Sequence, residues 1–226
     1  MSRFPFALPR SGVPGELPLI LASASPRRAD LLRAAGYTFS VDPAGDQAEC
    51  GVCSRETAPQ LVARYAFRKA ADVVRRHTRA MILAADTVAS CYGRILGKPR
   101  DAAHAEAMLR MLRGQRHDVY TGICLWSAAD RRCVVDVVRT ELIMAPIDDG
   151  QLHRYLESMR WEGKAGAFGY QDGNDWLTVL GGGSESNVVG LPLERLGELL
   201  ENFDHVAETV NTEDSADRPT PGWRPR

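Results

Sequence analysis

The residues best suited to chemistry are basic side chains in short loop-like motifs and one acid beside an apolar run. In Ser23-Ala24-Ser25-Pro26-Arg27-Arg28, two guanidinium groups fall in the first turn of an expected helix, where the positive end of the macrodipole repels them. A bound anion removes that conflict. Free backbone N–H groups and two planar donor forks suit phosphate oxygens, and the hydroxyls of Ser23 and Ser25 add donors. The competing reading turns both arginines into solvent. Asp86 directly follows the apolar stretch Ile82 to Ala85, which places its carboxylate at the C-terminal end of a strand, the usual ligand crevice of an α/β sheet. Capping a turn beside Thr87 is an equal alternative on these residues alone.

Three lysines extend the candidate set. Lys98, in Leu96-Gly97-Lys98-Pro99, sits in a loop framed by Gly and Pro and is free to reach a phosphate. Lys164, in Gly163-Lys164-Ala165-Gly166, lies on a backbone able to approach a ligand closely. Lys69 falls on an expected helix, where a lysine by itself is more often a solvated charge. Gly163, Gly166 and Gly169 recur every third residue, which matches neither the dinucleotide-binding fingerprint nor a P-loop. No Ser-His-Asp arrangement stands out. The five cysteines form an odd set without disulfide-framework spacing, which suits a reducing compartment and leads us to expect a cytoplasmic protein. Cys50-Gly51-Val52-Cys53 has no second pair to complete a zinc site and reads as reduced loop thiols.

The elements that must position these residues alternate between strand and helix, an α/β pattern. Leu19 to Ala22 reads as a buried strand running into a helix with Ser25 at its N-cap, Pro26 at its first position and Gly36 past its end. A second helix spans about Ala58 to Arg76, with Leu61, Tyr65, Ala66 and Val73 on its buried stripe. Met81 to Ala85 reads as a strand, Tyr92-Gly93 as a turn, and Asp101 to Arg113 as a helix closed by Gly114. Val119 to Trp126 and Cys133 to Ile143 are expected to pair as a hairpin, which makes the sheet mixed. A helix from about Asp149 to Met159, a Gly-rich stretch, a strand around Trp176 to Leu180, a loop over Gly181 to Asn187 and a helix from Pro192 to Phe203 follow.

Composition bounds the rest. The 226 residues, 44% of them hydrophobic, suffice for one large domain or two packed lobes. We expect a flexible leader over residues 1–17, a single domain over 18–207 and a disordered polar tail over 208–226. With 28 Lys and Arg against 29 Asp and Glu, no bulk charge points to nucleic acid or a membrane surface. No apolar run is long enough for a signal-peptide core or a spanning helix.

Taken together, Leu21 to Arg28, Ala85 to Val88, Leu96 to Pro99, Thr121-Gly122, Gly163 to Gln171 and Asn187 to Leu193 resemble, in order, the motifs of the Maf proteins, a family of nucleoside triphosphate pyrophosphatases also linked to septum formation. The resemblance implies a Maf/Ham1 (ITPase-like) fold, a mixed twisted β-sheet flanked by helices with two lobes around a central cleft. It also implies hydrolysis of a nucleoside triphosphate to the monophosphate and pyrophosphate, with a divalent metal cation (Mg²⁺ or Mn²⁺) as cofactor. On this resemblance Asp86 is the catalytic proton acceptor, and Arg27, Arg28, Lys69 and Lys98 contact phosphates, with Lys164 in the Lys-Ala-Gly motif. Arg27, Thr87 and Gln171 match the family's dTTP/UTP subgroup rather than the one preferring 7-methyl-GTP. Two positions depart from the pattern. Tyr170-Gln171-Asp172 stands where Ile-Gln-Gly is common, and the early acidic position is filled by Asp46 or Glu49, which leaves Glu49 and Asp86 as metal-ligand candidates. A homodimer is what the family suggests. The alternatives are a pyrophosphatase for modified nucleotides and a non-catalytic nucleotide-binding regulator of cell division.

Overall fold

The computed structural model describes residues 12–49 and 56–209. Its centre is a mixed sheet whose strands are β1 (Leu19–Leu21), β2 (Phe39–Val41), β3 (Met81–Cys91), β4 (Arg94–Leu96), β5 (Arg116–Ser127), β6 (Arg132–Met144), β7 (Leu177–Val179) and β8 (Glu208–Thr209). The main path runs β2-β1-β3-β5-β6-β7, with β4 on β3 and β8 on β6. β1 pairs in parallel with β2 and β3, and the remaining pairings are antiparallel. Helices α1 (Pro26–Ala34), α2 (Ala58–Val74), α3 (Ala102–Leu112), α4 (Asp149–Glu157), α5 (Glu185–Val189), α6 (Leu193–Glu201) and α7 (Phe203–Val206) cover it.

The first half of β3 is apolar on both faces because both are covered. Met81, Leu83 and Ala85 join a cluster with α1 and α6, whereas Ile82 and Ala84 face α2. Farther along the same strands a separate cluster gathers Ala89, Cys91, Leu96, Leu109, Leu112, Leu142 and Trp161 under α3 and α4. Two lobes therefore share the long strands β3, β5 and β6, and the seam between them crosses β3 at Asp86 and Thr87.

Helix α2 starts where the backbone N–H of Thr57 donates to the Gln60 side chain at 2.9 Å. Its inner stripe is rich in small residues, Ala63, Ala66, Ala70 and Ala71, so its backbone lies close on the sheet. The closest approach is at Gly122 of β5, where an added Cβ would overlap the Val62 carbonyl. A glycine inside an otherwise apolar strand marks such an approach.

Several boundaries differ from expectation. The strand expected to stop at Ala85 continues to Cys91, because β5 supplies partners through Ser90 and the Tyr92-Gly93 turn, with φ of 50° and 73°, brings β4 back onto it. Asp86 is thus a mid-strand residue, paired with Gly122, rather than a strand-end one. Where a loop is expected over Gly181 to Asn187, Ser184 caps the short helix α5 by accepting from the Asn187 N–H at 3.1 Å. Within the expected leader, Pro14–Glu16 form a 3-10 turn and Val13 and Leu17 pack on the core. Glu208–Thr209, expected in the tail, pair with Arg132 and Cys133. The Cys50/Cys53 pair lies outside the described residues.

Candidate active site

One edge of β3 is continuously paired with β5, from Met81 to Ser90. The other edge pairs with β1 only at Met81 to Leu83 and with β4 only at Ala89 to Cys91. Between them, from Ala84 to Val88, the edge has no strand partner among the described residues, and Asp86 lies at the middle of this notch. The flanks follow from the chain path. β1 turns away through Ala22 to Ser25 into the N-terminus of α1, and β4 runs out into Gly97 and Lys98. The β3–β4 register pairs Ala89 with Leu96, and continued beyond the ladder it sets position 98 beside position 87.

The segment after α4 spans both flanks. Arg27 donates to the Gly163 carbonyl at 2.9 Å, and the Gly166 N–H donates to the Gly97 carbonyl at 3.0 Å. Gly166 takes φ 71°, and a Cβ there would press on Phe168 and Ala89, so glycine is required both by conformation and by space.

Asp86 points to the α2 face, where Lys69 Nζ lies 2.6 Å from its Oδ1 and 3.5 Å from the Ala85 carbonyl. Both side chains are largely buried, at 7% and 14% exposure, which makes this an ion pair held within the sheet–helix layer. Thr87 points to the opposite face. Its hydroxyl lies 2.9 Å from Thr121 Oγ1 and accepts from Arg28 at 3.0 Å.

The two arginines of the first turn separate. Arg28 is 8% exposed and donates to the Gly190 carbonyl at 2.8 Å, Ser23 Oγ at 2.9 Å and Thr87, so it fastens α1 to β3 and to the end of α5. Arg27 reaches along the mouth toward Gly163, with burial lowering its pKa and Asp172 opposing that. Ser25 occupies the N-cap position, but its side chain makes no cap bond; its N–H donates instead to Ser23 Oγ at 3.3 Å. The first intrahelical bond is from the Ala29 N–H to the Ser25 carbonyl, at 3.3 Å, and the N–H groups of Arg27 and Arg28 precede it.

Lys98 and Gln171 are exposed, while Lys164 is half-buried and its ammonium is bound to Asp172. Asp46–Glu49 form a 3-10 turn, and the Glu49 side chain lies outside the described residues. Among the described residues no group of three or more His, Cys, Asp or Glu could hold a metal ion. No helix of the described residues is long and apolar enough to cross a membrane. Direct contacts thus join Lys69 to Asp86 on one face of the sheet and Arg28 to Ser23 and Thr87 on the other, while Ser25 and Arg27 lie at the start of α1 and Lys98 just past β4, on the two flanks of the notch. Sequence reasoning missed Tyr155 and assigned Asp172 no role. For Asp172 the one available signal was an acid following Gln171.

A HAM1 protein of solved structure from Coxiella burnetii aligns with 82% of this chain and 99% of its own at 17% identity, with a TM-score of 0.44. A protein from Rhodopirellula baltica named dTTP/UTP pyrophosphatase is 67% identical over 91% of this chain and 90% of its own. A Myxococcus xanthus protein of the same name is 44% identical over 81% and 91%. The family model described as Maf-like protein matches residues 18–203, from the strand that enters the notch to the helix that closes the core, and the chain belongs to that family.

Proposed function

We propose that this chain hydrolyses nucleoside triphosphates between the α and β phosphates, releasing the monophosphate and pyrophosphate, with dTTP and UTP as its preferred substrates. The observation that carries the reading is the notch in β3, which combines a buried Lys69–Asp86 pair with a helix N-terminus on one flank and Lys98 on the other. The pyrimidine preference is supported by relatives named dTTP/UTP pyrophosphatase, 67% and 44% identical to this chain.

In this reading the triphosphate lies along the notch. The N-terminal end of α1, the Arg27 guanidinium and the Lys98 ammonium offset its charge. Lys69 holds Asp86 by Oδ1 and so turns Oδ2 to a water, which attacks the α phosphorus. The water's proton passes to Asp86, the bond from the α phosphorus to the bridging oxygen breaks, and pyrophosphate departs with that oxygen. The cations stabilise the charge growing on it. Arg28 and Thr87 keep α1 in register behind the site.

With no group of three or more ligating side chains among the described residues, a single carboxylate such as Asp86 would suit a magnesium or manganese ion carried by the substrate, since Mg²⁺ is commonly bound by one or two carboxylates together with phosphates. Asp86 is the described residue placed to share it, and when bound the ion would neutralise phosphate oxygens.

The test is incubation of the purified protein with UTP, dTTP and a panel of other triphosphates plus Mg²⁺ or Mn²⁺, with chromatographic separation of products. We expect UMP or dTMP and pyrophosphate. Diphosphate and orthophosphate would exclude the bond assignment, and absence of turnover would favour a nucleotide-binding regulator.

A further inference from the structure

Asp172 stands at the centre of a buried polar cluster next to the notch. One of its oxygens is bound by the Lys164 ammonium and the other accepts from Tyr155 Oη at 2.6 Å, while its main-chain carbonyl accepts from Arg160 at 2.8 Å. The Asp172 N–H in turn donates to the Gly169 carbonyl at 3.2 Å. Lys164 and Asp172 are only 14% and 11% exposed, and Tyr155 is 6% exposed, its ring 5.1 Å from that of Trp176. Gly169 makes room for the pair, because a Cβ there would overlap both charged ends.

An acid held through both oxygens is expensive to strip of its ammonium partner, since a buried carboxylate left with one hydroxyl is poorly compensated. Lys164 therefore stays on Asp172 when an anion enters. Its backbone neighbour Gly163 carries the carbonyl that receives the Arg27 guanidinium, and Gly166 reaches the Gly97 carbonyl on the other flank. We propose that Asp172 is a positioning residue for the phosphate site, clamping Lys164 so that the 163–169 segment aims Arg27 into the notch, and that Lys164 is not itself a phosphate ligand. Electrostatics agree with this layout. Burial depresses the Lys164 ammonium and Arg27 repels it further, while Asp172 counters both effects and also supports Arg27. The Tyr155 phenol is pushed up, by burial first and by Asp172 second, and stays a donor.

The proposal rests on the phosphate-binding reading of the notch, so its test is a binding measurement separate from turnover. The Kd for inorganic tripolyphosphate is measured by calorimetry for wild type, Asp172→Asn, Lys164→Met and the double variant, together with KM and kcat for UTP. Each single change is expected to weaken tripolyphosphate about tenfold, the scale of one charge-assisted hydrogen bond. The double variant is expected to be no weaker than the weaker single, and the loss with UTP to fall on KM more than on kcat. Tyr155→Phe, which deletes one hydroxyl and should fold, is expected to weaken binding about threefold. Unchanged Kd in Asp172→Asn or Tyr155→Phe overturns the proposal. So does additivity in the double variant, or a Lys164→Met loss of about a hundredfold beside tighter binding in Asp172→Asn, which would make Lys164 the ligand and Asp172 its competitor. If wild type releases no pyrophosphate from UTP while the tripolyphosphate cycle behaves as expected, the catalytic reading fails and this one stands.

Discussion

Asp86 and Thr87 are adjacent in sequence yet serve opposite faces of the sheet, Asp86 meeting Lys69 of α2 at 2.6 Å and Thr87 receiving Arg28 of α1 at 3.0 Å. The alternation of side chains along a strand forces this division. Its consequence is that the two helices on opposite faces are both tied to β3 at the seam between the lobes, where the strand edge is open.

Replacing Asp86 by Asn keeps the shape of the side chain and removes its capacity to take a proton. Turnover of UTP is expected to fall at least about a hundredfold while the protein still folds and binds nucleotide. A near wild-type rate in a steady-state pyrophosphate-release assay would rule out the assigned role.

Lys69→Met leaves the Asp86 carboxylate in the sheet–helix layer without its ammonium. Losing one member of a buried pair costs about 3 kcal/mol or more, so chemical denaturation should show a clear loss of stability, and Asp86→Asn in the same background should recover part of it. No recovery would mean that the pair is not coupled.

The neighbouring arginines should separate in their effects. Arg28→Ala removes the donor from three partners, including the buried Gly190 carbonyl, and is expected to cost about 2 kcal/mol or more in denaturant unfolding. Arg27→Ala should change stability by less than about 1 kcal/mol and instead raise KM for UTP. Equal destabilisation by both changes would contradict the placement.

At Gly122 even alanine is too large. Its Cβ would meet the Val62 main chain, so α2 must shift away from β5. We expect Gly122→Ala to lose about 2 kcal/mol or more and to lower kcat through displacement of Lys69 from Asp86; a neutral thermal melt would show that α2 is freer to move than its packing indicates.

His117 supplies a pH dependence. It is 3% exposed, its ring lies 5.3 Å from Phe168, and burial depresses its pKa below the ordinary 6.5. The unfolded chain then binds the proton more readily than the folded one. Stability from this residue is present above about pH 6.5 and declines as the pH falls below it toward the depressed folded value. Thermal midpoints of wild type and His117→Phe at pH 7.5 and 5.0 should show a smaller drop in the variant, and parallel drops would remove His117 from the account.

Much of this molecule was legible in residue order alone. Hydrophobic periodicity located the long helices, because a stripe that must face a core leaves a local signature. Ser25-Pro26 marked the start of α1, and the β5–β6 hairpin followed from two β-rich runs around Ala128 to Arg131. The motifs around Asp86, Lys98 and Gly163 indicated a phosphate chemistry, since the charge of a side chain and the freedom of a glycine are properties of the residue itself. What tertiary structure decided is which charges meet. Arg27 and Arg28 look equivalent in sequence, but helical rotation buries one against Gly190 and Thr87 and leaves the other at the mouth. Lys69 reads as a surface charge until β3 continues past Ala85 and carries Asp86 beneath it, and Lys164 reads as a free cation until the chain returns with Asp172. Pairing between residues distant in sequence depends on where whole elements pack, and no local window of the chain contains that information.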